Sequence, residues 1–169
     1  INAVTDVVSF THVPHAADFT APEPAHVRVA IETAIGLYFP KPLHAEAVGF
    51  PTAPLTGSSE TKQSQFIRAI FEVWDAWPTQ LPFVGFFRLY DLHPTRAAFE
   101  SLPLGGGPAA TAWVRTLGLR TSDGPDRPKT AYHTLHTQAL NRGWHRDERR
   151  ASVCRLCARP ERMPRLRVG

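Results

Sequence analysis

Three short stretches of the chain are apolar at nearly every position: DVVSFTHV (6–13), KPLHAEAVGF (41–50) and LPFVGFFRLYD (81–91). Each is too short for a packed helix and is rich in β-branched or aromatic side chains. Unbroken apolarity, in place of strict alternation, predicts strands covered on both faces, as in a parallel sheet. Between these runs the pattern turns helical. In APEPAHVRVAIETAIGLYF (21–39), Val27, Ile31, Ala34, Ile35 and Tyr38 share a face, after prolines that a first turn tolerates. In SSETKQSQFIRAIFEVWDAW (58–77), serines able to cap free N–H groups precede a stripe of Phe66, Ile67, Ile70, Phe71 and Trp74. A third helical piece, PKTAYHTLHTQAL (128–140), follows the Gly/Pro-rich stretch 103–108 and the turn-like SDGPDRP.

The expected order is β, α, β, α, β, a long loop, α. Alternation of this kind predicts an α/β fold with crossover helices and a parallel sheet. Three strands alone leave both sheet edges open, and a full barrel of eight such units needs about 250 residues. The pattern therefore suits three units of a (β/α)8 barrel, incomplete on their own, over residues 1–140. The first residue is Ile1 and no signal peptide is visible, so either a processed start or a piece of a longer chain is expected.

Composition changes the picture at one end. Overall, 43% hydrophobic and 20% charged residues describe an ordinary globular chain, and no apolar run is long enough to cross a bilayer. Residues 1–140 carry 10 Lys+Arg against 12 Asp+Glu, a net −2, whereas residues 141–169 carry 9 Arg against 3 acids, a net +6. The basic tail lacks aromatic interleaving and helical periodicity, which predicts a disordered appendage and argues against nucleic acid as a partner. Cys154 and Cys157 form a single CRLC pair there, with only His145 nearby, short of the four ligands that a zinc site takes. No cofactor is implied, and oligomeric state is not legible.

In α/β folds reactive groups gather where strands end. Those positions hold His12 and His15 after the first strand, His44 and Glu46 on the second, and Tyr90, Asp91 and His93 after the third. Each also has an ordinary reading: Asp91 before Leu-His-Pro suits a turn, and His12 and His15 suit a polar loop.

Taken in order, these segments resemble the last third of clan-A TIM-barrel glycoside hydrolases. The resemblance rests on KPLHAEAVGFPTAPLTGSSETKQSQFIRAIFEVWDAWPTQLPFVGFFRLYD, on DVVSFTHVPHAADF before it and on LGLRTSDGPDRPKTAYHTL after it, together covering roughly residues 4–139. In that family the seventh strand carries a nucleophilic glutamate just before a Gly-aromatic-Pro-Ser/Thr turn. A helix with Glu, Gln and Phe near its start follows, then an eighth strand ending in Asp. The resemblance implies hydrolysis of O-glycosyl bonds in an oligo- or polysaccharide, with Glu46 as the nucleophile. It also implies substrate contacts from His12, Phe50, Phe87, Tyr90 and Asp91, and a secreted or periplasmic full-length parent. His12 stands where the family often has a tyrosine that supports the nucleophile. Trp74 is aromatic too, but the helix stripe claims it.

The chain departs from the family pattern in spacing. Ala47 and Val48 separate Glu46 from Gly49, where the family has one residue, so Ala47 holds the expected position. Successive strand side chains face opposite ways, so Glu46 reaches the pocket only across a bulge. The acid/base glutamate of the family lies on an earlier strand, outside these residues, so this chain alone is expected to be inactive. A carbohydrate-binding relative without catalysis is the alternative. A third reading is a metal-dependent barrel hydrolase using His12, His15, His44, Asp91 or His93.

Overall fold

The computed structural model describes residues 5–122, 124 and 126–144. The Cys154–Cys157 pair, His145 and nearly all of the Arg-rich tail lie outside them. Residues 1–138 form one compact unit and residues 139–169 a second. The described part of the second is the last turn of a helix, closed by Trp144 N–H donating to the Ala139 carbonyl at 3.0 Å.

Three parallel strands, β1 (Val8–His12), β2 (Leu43–Val48) and β3 (Phe83–Phe86), form a sheet in chain order. Helices α1 (His26–Tyr38) and α2 (Glu60–Ala76) make the crossovers, and α5 (Thr130–Asn141) follows later. This small α/β architecture matches the expected alternation. Buried Val27, Ile31 and Ile35 on α1 recur at one-turn spacing, and Phe66, Ile67, Ile70, Phe71 and Val73 do the same on α2. They close over Val8, Leu43, Ala45, Val48 and Val84 of the sheet, with Ala131 of α5 in the same core. The Ser59 hydroxyl caps α2 by accepting from Lys62 N–H at 3.2 Å, as the serine signal predicted.

Three expectations are corrected. Helix α1 starts at His26, because Pro22 and Pro24 bias the residues before them away from helical backbone. The stretch between the third strand and the last helix is no long loop: it holds α3 (Pro94–Ser101), a tight turn at Leu102–Leu104 and α4 (Gly107–Arg115). The glycine run only turns the chain between them, with Gly105, Gly106 and Gly107 all at positive φ. Finally, among the described residues the strands are not covered on both faces. Val8, Phe10, Leu43, Ala45, Val48, Val84 and Phe86 turn to the helices, but positions on the other side such as Ser9, Thr11 and Phe83 are exposed. Among the described residues β1 and β3 each pair along one side only. No helix of these residues is long and apolar enough to cross a membrane.

Candidate functional site at the strand ends

Glu46 occupies a β-bulge. Phe10 pairs with Ala45, but the next β1 residue, Thr11, pairs with Ala47, so Glu46 is the extra residue. The β3 side shows the same step, from Ala45↔Val84 to Val48↔Phe86. Ala45 and Val48 both face the helices, and the two residues between them turn to the uncovered side. Glu46 is exposed there, and its carboxylate has no hydrogen-bond or ion-pair partner among the described residues. Gly85 makes the bulge possible, since a side chain at 85 would collide with the Glu46 carbonyl. The remaining strand positions on this face are Ser9, Thr11, His44, Ala47, Phe83 and Gly85, none of them acidic.

Asp91 is held elsewhere. Its Oδ1 accepts from Lys129 Nζ at 2.6 Å and from Gly118 N–H at 2.9 Å. Lys129 is only 2% exposed, and its ammonium also donates to Thr52 Oγ1 at 3.0 Å and the Thr116 carbonyl at 3.2 Å. Burial pushes the Asp91 carboxyl up and the Lys129 ammonium down; their mutual attraction offsets part of each shift. Thr116 Oγ1 accepts from the N–H groups of Thr52 and Ala53, both at 3.1 Å, while donating to the Ala112 carbonyl. Gln63 Nε2 donates to the carbonyls of Phe50 and Gly118 at 2.8 and 3.0 Å. Together these bonds tie the turn after β2, helix α2, the segment between β3 and α3, the end of α4 and the start of α5; the third strand stops at Phe86, short of the expected 91. Asp91 is an anchor of this network, with Oδ1 doubly engaged.

The other expected residues divide. Phe50 is 1% exposed with its ring 5.1 Å from Phe66, so it is core and presents no face to a sugar. His12 lies on the helix side, its ring parallel to Phe66 at 6.4 Å, and burial lowers its pKa. It does not bond Glu46. Phe87 and Tyr90 are accessible, at 36% and 47% exposure. Arg88 lies 4.7 Å from the Phe87 ring centroid, and Arg120, paired with Asp126, lies 5.9 Å from that of Tyr90. Trp74 packs against the core, as its stripe implied. His15 stacks on Phe19 at 4.8 Å and meets Trp113 edge-on at 4.7 Å. Among the described residues no three His, Cys, Asp or Glu side chains converge as metal ligands, which removes support for the metal-dependent reading.

Lys129, Gln63, Thr52 and Thr116 were not singled out from the sequence. Lys129 and Gln63 had a signal, since both lie inside motifs that carry the resemblance. Thr52 had one too, as the residue after the Gly-aromatic-Pro turn, whereas Thr116 lies outside those motifs and had none. Compared with known proteins, the chain matches no family model and no curated sequence.

Proposed function

We propose that this chain supplies three consecutive βα units of a glycoside hydrolase-like (β/α)8 barrel, with Glu46 as the nucleophile. The observation that carries the reading is the bulge, which turns an unpartnered carboxylate toward the uncovered side of a parallel sheet near a strand end. The open sheet edges suit neighbouring strands, and exposed Phe87 and Tyr90 suit stacking on sugar rings. In such a site Glu46 attacks the anomeric carbon and expels the glycosidic oxygen, which takes a proton from a second carboxylic acid. That second group then deprotonates a water, which attacks the same carbon and releases Glu46. The uncovered face holds no second acid, so the described residues do not complete this cycle. The partner carboxyl belongs on another strand of the barrel.

One observation favours a binding relative without catalysis: Ala47, at the position that resembles the nucleophile's, pairs with Thr11 on the same uncovered side. A mechanism-based fluoroglycoside, applied to the protein carrying the full set of strands, separates the two. Labelling of the peptide holding Glu46, abolished by Glu46→Gln, supports the nucleophile. Oligosaccharide binding with no label, and hydrolysis gained with Ala47→Glu, supports the binding relative. Turnover unaffected by Glu46→Gln overturns the assignment of Glu46.

A further inference from the structure

Two buried side-chain polar atoms among the described residues lack a hydrogen-bond partner: Oε1 of Gln63 and Nη1 of Arg88. Both residues line one small pocket of about 10 Å³, whose other walls include Val48, Phe50, Phe86 and Leu119. Chemistry fixes the Gln63 amide. Its nitrogen meets three carbonyl oxygens, those of Phe50, Gly118 and, at 3.5 Å, Leu117, so the NH₂ end must face them and the oxygen must face away. Arg88 is held from its other side, where Nη2 donates to Glu100 and the guanidinium lies over the Phe87 ring.

We propose that this cavity binds one ordered water molecule, donating to Gln63 Oε1 and accepting from Arg88 Nη1. The volume is that of about one water-sized sphere, and two polar partners meet the minimum for a retained internal water. Nothing larger fits. An anion would meet the amide oxygen and a cation the guanidinium, so a neutral molecule that both donates and accepts is what the walls select. The water completes a polar chain from Glu100 on α3 through Arg88 after β3 to Gln63 on α2, and on to the carbonyls of Phe50 and Gly118. This site stands independently of the glycosidase reading.

The test is a crystal structure of the whole chain at a resolution that shows ordered solvent, with water-oxygen magnetic relaxation dispersion in solution. A density peak within hydrogen-bonding distance of both atoms is expected. So is a long-lived water signal that Arg88→Met removes and the surface control Arg96→Met keeps. A cavity without density, a peak that contacts neither atom, or a signal unchanged in Arg88→Met overturns the proposal. If Arg88→Met does not fold, the density in the unaltered protein decides alone.

Discussion

Gly85 faces the carbonyl of Glu46 so closely that a methyl group on its α-carbon would collide with that oxygen. The contact links the bulge on β2 to the residue opposite it on β3. Gly85→Ala forces one backbone to move, an overpacking that costs about 1–3 kcal/mol. Urea denaturation should show a lower midpoint with an unchanged slope. Unaltered stability would show that the bulge does not press on β3 as described.

The Asp91–Lys129 pair is expected to be costly to break from one side and cheaper to remove whole. Burial opposes both charges, so the pair adds little net stability, but either charge left alone is stranded. Lys129→Met should cost about 3–5 kcal/mol, and the double change Asp91→Asn with Lys129→Met clearly less. A double-mutant cycle measures the difference; equal losses in the single and double variants would refute it.

Glu60 governs part of the acid limb of stability. The Arg127 guanidinium, with the Thr130 N–H and hydroxyl, holds its carboxyl down at about 2. A lowered folded-state pKa stabilises above the ordinary carboxylate value of 4.5, and that contribution is lost as pH falls toward about 2. The pair is substantially exposed, so its worth is at most about 1 kcal/mol. Glu60→Gln should flatten the melting-temperature profile across that window and leave its shape at neutral pH alone. An unchanged acid limb would mean that Glu60 is not clamped.

Phe50 and Phe87 should respond in opposite ways. Phe50→Ala empties a core position and costs about 3–5 kcal/mol. Phe87→Ala should cost far less and, where the proposed sugar site operates, weaken oligosaccharide binding at near-normal stability. Calorimetric titration alongside thermal melts reads both. A large stability loss from Phe87→Ala with unchanged binding would remove it from the site.

The strands and crossover helices were legible because each carries a long apolar run or stripe, as Ile31–Ile35 and Phe66–Phe71 illustrate. The α3–α4 pair was not, since helices of 8 and 9 residues give too few turns for a period to emerge, and the glycine run between them dominates the reading. Its local signals were present in Pro94 and Pro108, each in a first turn. At the candidate site, the bulge was legible as an odd spacing, two residues between Glu46 and Gly49. What that spacing could not give was the direction of His12 or the depth of Phe50, which depend on where Phe66 of α2 comes to rest. The Asp91–Lys129 bond joins residues 38 positions apart and needed the folded chain to be seen.

Because all three strands run the same way, the margins of β1 and β3 that are unpaired among the described residues are not interchangeable. A two-fold axis would set a margin against its own copy in the opposite sense, whereas β3 of one molecule beside β1 of the next preserves direction. Growth by that second route repeats with every added molecule until the rotation between neighbours closes a ring. Solubility at high concentration thus depends on whatever caps those two margins.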